Sequence, residues 1–253
     1  MEVKGLDLSK YQKGINFNAI KNAGYKFVIL RVGIRGYKYS NITKDECFED
    51  FYKQAKANGL GVGAYFFTQA TNDAEALDEA NFVTEAIKGK VFEYPIYIDT
   101  EYSNNAHNGR ADNISKATRT SVCKTFCDTL ERRGYYAGIY CSESWLLYKL
   151  NYNELRKYDK WIAKWGLVKP FTLYSTYGMW QNSNDVYIGG IRCDGNVRFY
   201  DYPAIMKDKC LNGFKKPVKK YRVTVNNITN GDKELIVNVT KSLSLKEVTV
   251  EEV

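Results

Sequence analysis

The chain of 253 residues has a single histidine, His107, and that scarcity removes several kinds of chemistry at once. A Ser-His-Asp triad, a cysteine nucleophile with an imidazole base and a histidine-built zinc centre each need a well-placed histidine. His107 lies in the polar stretch Asn104-Asn105-Ala106-His107-Asn108, where a solvated ring is the ordinary outcome. The six cysteines, at positions 47, 123, 127, 141, 193 and 210, follow no zinc-ligand spacing and read as free, partly buried thiols. Such thiols suit a chain made in a reducing compartment. No apolar run is long enough to span a bilayer, so membrane insertion is not expected. Met1-Glu2-Val3-Lys4-Gly5 leads directly into a strand-like segment without the apolar core of a signal peptide, which implies synthesis in the cytoplasm without that leader. Neither G-x-G-x-x-G nor a P-loop occurs, which leaves a nucleotide site unsupported.

What is present is a globular composition, 44% hydrophobic and 15% aromatic, with 21 tyrosines supplying most of the aromatic share. Exposed Tyr and Trp suit the apolar C–H face of a sugar, although barrel packing accounts for most of the tyrosines. The formal charge of +8 favours an anionic partner. No nucleic-acid motif accompanies it, so nucleic acid is not expected as a partner. An anionic cell wall fits equally well, as does an ordinary solvated lysine surface. The densest basic patch is Lys215-Lys216-Pro217-Val218-Lys219-Lys220.

Strand-like and helix-like segments alternate. Continuous apolar or alternating runs predict strands at 3–8, 27–32, 61–67, 94–101 and 136–141, with shorter ones at 160–165, 177–181 and 191–194. Amphipathic stretches closed by glycine predict helices at 17–23, 47–58, 73–88 and 115–133. Repeated βα units imply a parallel sheet with right-handed crossovers. About eight strands suggest closure into an irregular (β/α) TIM-like barrel with degenerate last units. An open doubly wound sheet is the competing α/β arrangement. Residues 1–213 therefore read as the barrel, 214–220 as a linker and 221–253 as a small βαβ-like appendage, with strands at 221–225 and 246–250 around a helix at 232–243. The appendage is too short to bury a core alone. Its strand edges make it a candidate for pairing between chains, and wall binding is the other role considered.

In a βα barrel the reactive residues gather at the C-terminal ends of the strands. Asp7, Tyr65, Asp99, Glu101, Tyr140, Gln181 and Asp194 all fall at or near predicted strand ends. Asp99 and Glu101, two apart in a strand, point to the same side with Cα atoms roughly 6.5–7 Å apart. Two close carboxyls repel as anions, which raises one pKa and separates an acid from a base, as glycosidases require. The bare D-x-E triplet is a weak signal, because capping or salt-bridging acids produce it as readily. Asp7 and Asp194 strengthen it, since strands one and eight adjoin in a closed barrel. A hard cation such as Mg²⁺ or Ca²⁺ is the rival use of four acids.

These residues resemble an ordered set of motifs in the glycoside hydrolase family 25 lysozymes, over about residues 3–206. Gly5-Leu6-Asp7-Leu8-Ser9 resembles the family's opening strand, and the segment Gly24 to Arg31 its second, including the arginine. Gly61 to Phe67, Glu79-Ala80-Asn81-Phe82, Asp99-Thr100-Glu101, Gly138 to Ser142, Trp161 to Gly166 and Trp180-Gln181 are similar to the motifs that follow. Phe66 replaces the usual histidine of the third strand. Counting back from Asp201-Tyr202-Pro203 aligns Asp194 with the family's last aspartate, while Gly195-Asn196-Val197 offers a competing register.

The resemblance implies cleavage of the β-1,4 bond from N-acetylmuramic acid to N-acetylglucosamine in bacterial peptidoglycan, without cofactor or metal. It implies Glu101 as acid and then base, and Asp99 as the group that steadies a participating acetamido or acts more directly on the anomeric carbon. Asp7 and Asp194 would support them, and Tyr65, Arg31, Tyr140 and Gln181 would line the groove. It further implies action on the wall after release from the cell, as in phage endolysins.

Overall fold

The computed structural model describes residues 2–170, 177–216 and 229–242. Two compact units are present, Met1–Lys215 and Lys216–Val253. In the first unit the described strands are β1 (Val3–Leu8), β2 (Phe27–Arg35), β3 (Ile42–Lys44), β4 (Gly61–Phe67), β5 (Ile96–Asp99), β6 (Ala137–Ser142), β7 (Asp159–Ala163), β8 (Met179–Ile188) and β9 (Ile191–Arg198). They pair in the order β1-β9-β8-β7-β6-β5-β4-β2, and β1 pairs with β2 to close the ring. β3 is an antiparallel addition to the edge of β2 beyond the ring. The fold is thus an α/β barrel of eight strands.

Neighbours are parallel from β1 through β2, β4, β5, β6 and β7 to β8. The closing strand differs, because β9 runs antiparallel to both β8 and β1. Spacing in the sequence predicts Gln181 and Asp194 at the ends of two short barrel strands. Instead β8 continues seven residues past Gln181 to Ile188, turns at Gly189-Gly190 and returns as β9. Both turn glycines have positive φ, 57° and 85°, as the first choice of turn for a two-residue hairpin requires. Asp194 consequently lies within β9, directly opposite Asp7 of β1.

Alternation along each strand divides the core in two. Leu6 and Leu8, Val28 and Leu30, Val62 and Ala64, Ile96 and Ile98, and Ile139 and Cys141 face outward into one large cluster. The helices α1 (Phe17–Asn22), α2 (Phe48–Ala57), α3 (Asp73–Ile87) and α4 (Lys116–Arg132) cover that face. Four of them were legible from spacing and their closing glycines. The short α5 (Glu143–Tyr148) and α6 (Tyr152–Leu155), and α7 (Tyr202–Lys209), were not. The complementary residues Phe27, Ile29, Tyr97, Tyr140, Trp161 and Met179 form a second cluster that fills the ring. Such large rings need missing side chains opposite them: a Cβ on Gly138 would sit 2.4 Å from the Tyr97 ring, and one on Gly5 2.3 Å from Phe27.

A buried acid anchors the lower part of the ring. Asp159 Oδ2 accepts from the hydroxyl of Tyr97 at 2.9 Å and from that of Tyr202, which ties α7 to the barrel. In the second unit the described element is α8 (Asn230–Ser242), where residues 232–243 were expected to be helical. Thr229 Oγ1 and Asp232 Oδ2 lie 2.6 Å apart and cap its start. The strands expected at 221–225 and 246–250, and most of the 214–220 linker, lie outside the described residues.

Candidate active site

The inward positions nearest the C-terminal ends of the parallel strands form one continuous polar floor. Asp7 comes from β1, Arg31 from β2, Tyr65 from β4, Asp99 from β5, Tyr140 from β6 and Gln181 from β8. Asp194 and Asn196 come from β9, which runs down from the mouth and so presents Asp194 nearer the opening. Glu101 lies two residues past the end of β5. The backbone N–H of Thr100 donates to Tyr140 O and that of Thr68 to Asp99 O, each at 3.0 Å, so the ladder holds this segment up to the site.

Hydrogen bonds tie the floor together in one chain. Asp7 Oδ2 accepts from Gln181 Nε2 at 3.0 Å and from Asn196 Nδ2 at 2.7 Å. Gln181 Oε1 accepts in turn from the Tyr140 hydroxyl and from Trp165 Nε1, both at 3.0 Å. Asn196 Oδ1 accepts from Trp161 Nε1 at 2.7 Å. Trp161 is central to the layer, packing against Tyr140, Tyr97 and Tyr65. Arg31 makes no hydrogen bond to the four acids, although its charge pulls the Asp99 pKa down. Its Nε pairs with Asp45 Oδ2 at 2.7 Å, and its guanidinium lies 5.2 Å over the exposed ring of Tyr11.

All four acids hold their protons more tightly than ordinary carboxyls. Burial raises Asp7 well above its usual value, and repulsion from Asp194 adds to this while Asn196 and Gln181 oppose it. Burial also raises Asp99 well above the carboxylate range, with Glu101 and then Asp7 adding repulsion. Glu101 is pushed up to about 7 by burial and by Asp194. Burial raises Asp194, while Arg192 pulls it down. The cluster therefore retains protons near neutrality, as four carboxyls with few cationic partners must.

Asp99 is unusual in another way: it is 4% exposed, and its Oδ1 has no hydrogen-bond partner. A buried acceptor left open is costly in a finished interior and suits a ligand that brings its own donor. Glu101 likewise accepts no side-chain hydrogen bond among the described residues. No group of three potential ligands among the described residues is placed to hold a metal ion.

Beside the acids lies an open cleft of about 540 Å³, lined by Tyr11, Gln12, Trp165, Asn184, Ile191, Arg192 and Asp194. Trp165 and Tyr11 are 59% and 76% exposed, so their ring faces are available at its edge. A second cleft of about 460 Å³, with Lys26, Lys56 and Glu93, opens among residues from the other ends of the strands.

Every residue singled out from the sequence lies on this floor or its rim, but their connections differ from expectation. Arg31 is hydrogen-bonded to Asp45 and reaches the carboxyl cluster only through its charge on Asp99. Asn196, read only as part of a competing register, is a direct partner of Asp7. Tyr11, Asp45 and Trp165 were not singled out as site residues. The exposure of one aromatic in a strand-end motif, Trp165 in Trp161-Ile162-Ala163-Lys164-Trp165, was the available signal for the last.

The carboxyl cluster at the mouth of an α/β barrel has the form of a glycoside hydrolase site. The sequence profile of Glycosyl hydrolases family 25 matches residues 6–191, and the chain belongs to this family. It is 30% identical over 190 residues to the autolytic lysozyme of Clostridium acetobutylicum, covering 75% of this chain and 53% of that protein. The chain thus spans about half the length of that relative. It is 26% identical over 201 residues to the N,O-diacetylmuramidase of a Chalaropsis species, covering 74% of this chain and 91% of the other. Among solved structures, the CTP1L endolysin superposes with a TM-score of 0.68 at 25% identity, over 81% of this chain and 70% of that one.

Proposed function

We propose that the chain is an N-acetylmuramidase, hydrolysing the β-1,4 bond from N-acetylmuramic acid to N-acetylglucosamine in bacterial peptidoglycan and so lysing the wall. The observation that carries this reading is the pairing of a protonatable Glu101 with the open oxygen of Asp99 in a family 25 barrel. In the first step Glu101 gives its proton to the glycosidic oxygen as the bond to the anomeric carbon breaks. The carbonyl oxygen of the substrate's 2-acetamido group closes on that carbon to form a cyclic oxazolinium. Asp99 Oδ1 accepts the acetamido N–H, and the one negative charge that the Asp99–Glu101 pair carries, resting on Asp99 while Glu101 holds the proton, balances the charge that develops on the ring. In the second step Glu101, now a carboxylate, takes a proton from water as the water adds to the anomeric carbon. The acetamido group is released, and two inversions give net retention.

Asp7 and Asp194 supply the surrounding charge, and Tyr65, Tyr140, Gln181 and Arg31 shape the groove. Residues 1–213 form the catalytic barrel and 214–220 a linker. Residues 221–253 serve wall binding or pairing of chains, which light scattering with and without that segment distinguishes. The enzyme acts on the wall itself, outside the membrane, with no cofactor. Purified walls incubated with the protein should release new reducing ends, and fragment masses should show muramic acid at those ends. Glu101→Gln should lower the rate about 100- to 10,000-fold. Fragments ending instead in reducing N-acetylglucosamine, or equal rates for the two proteins, would overturn the reading.

A further inference from the structure

The carboxyl of Glu101 accepts no hydrogen bond from the described protein, so the backbone and the two neighbours, Thr100 and Tyr102, must set its position. Both neighbours face away from the barrel interior, toward one buried cation. Arg119 stands in the first turns of α4, is 2% exposed and has no carboxylate partner among the described residues. Its Nη1 donates to Thr100 Oγ1 at 3.1 Å. Its Nη2 donates to the carbonyl of Ala111 at 2.6 Å and to that of Asp112 at 3.2 Å, at the far end of the loop that begins with Glu101. The guanidinium lies 4.2 Å over the ring of Trp145. Trp145 meets Tyr102 edge-on at 4.8 Å, and Tyr102 stacks on His107 at 3.6 Å.

An unpaired buried guanidinium is expensive, and burial pulls its pKa down accordingly. A group with only a packing duty would be better replaced by an apolar side chain. Here the rigid fork reaches three points that no apolar side chain would hold: the residue between the two acids, and both carbonyls that close the loop. Through Trp145 it also backs the residue on the other side of Glu101.

We propose that Arg119 is a positioning residue for the general acid, fixing Glu101 against Asp99 by holding Thr100 directly, Tyr102 through Trp145 and the loop 101–112 at its far end. The inference rests on the muramidase reading. A loosened Glu101 keeps its substrate groove but loses the alignment on which proton transfer depends.

The test uses Arg119→Met, Arg119→Lys and Thr100→Val in the full chain, with steady-state kinetics on soluble glycan fragments of defined length. Arg119→Met should lower kcat about 10- to 100-fold with KM changed less than about twofold. The alkaline limb of its pH profile should move to lower pH, because a Glu101 that swings into water loses the burial that raises its pKa. Lysine should restore part of the rate, since it keeps the charge but cannot span Thr100 and both carbonyls. Thr100→Val removes one hydrogen bond with little change of volume. It should lower kcat a few-fold with the same signature, and it decides the matter if the arginine variants do not fold. Wild-type kcat and pH profile in Arg119→Met or in a folded Thr100→Val would overturn the proposal, as would a loss confined to KM. Failure of the wild-type protein to cut the glycan would instead overturn the functional reading.

Discussion

Glu101→Gln should stabilise the protein at alkaline pH while removing its activity. Burial and Asp194 hold the Glu101 pKa at about 7, against an ordinary value of 4.5. At about 1.36 kcal/mol per pH unit, that gap corresponds to an upper bound of about 3 kcal/mol for ionising Glu101 in the folded state. Glu101 keeps some contact with water, and the cluster shares its protons among four carboxyls. About half or less of that figure is therefore expected, or about 1–2 kcal/mol.

The sign follows from proton binding. Between the unfolded and folded pKa values the native protein binds more protons than the unfolded chain, so raising pH through that window destabilises the wild type. Glutamine mimics the protonated acid and escapes the loss. The two proteins should melt together near about pH 4, with the variant higher by about 2–8 °C near about pH 8. Thermal unfolding by circular dichroism across that range measures the difference. A variant that melts below wild type at alkaline pH, or a gap that does not grow with pH, would refute the reasoning.

Arg35→Met should be strongly destabilising, because Arg35 Nε and Glu79 Oε1 form a pair at 2.8 Å with side chains 6% and 0% exposed. Urea unfolding should show a loss of about 3–5 kcal/mol. Burial already lifts Glu79 to about 7, so the loss should deepen as pH rises through that value. Asn196→Leu deprives Asp7 of its 2.7 Å donor and leaves Trp161 Nε1 without its acceptor. It should cost about 1–3 kcal/mol in the same assay and slow reducing-end release. A thiol reagent applied to native protein should modify Cys210 quickly and the other five cysteines only on unfolding, since Cys210 alone is not buried. Fast reaction at Cys123, Cys127 or Cys141 would contradict the packing of α4 against β6.

The barrel was legible where one physical signal dominated. The unbroken apolar run of β2 marked a strand buried on both faces, and glycines closed α1 to α4 at the residues where positive φ was needed. Asp7 and Asp194 could be placed together because closure makes the first and last strands neighbours. The direction of the last strand was harder to read. The polar run Asn182-Ser183-Asn184-Asp185 looks like a loop, yet it belongs to an arm of β8 whose partner is the other arm of the same hairpin. Gly189-Gly190 is the local signal of the turn, and the preceding βα rhythm favours another parallel unit against it. Arg31 shows a second limit. Its strand and direction could be read, but its partner Asp45 comes from the excursion after β3, for which the sequence has no periodic signal.

The hairpin that closes the ring also makes the site vulnerable at one point. Side chains on β9 alternate, so Asp194 and Asn196 face the acids while Cys193 packs in the outer layer. A one-residue slip of β9 against β1 would leave every residue of the acid cluster in the sequence, yet it would exchange the two sets of side chains. Cys193, Gly195 and Val197 would then face Asp7. Bulges between Gln181 and Val186 take up extra residues on the β8 side, so the register of β9 on β1 decides which side chains meet the acids.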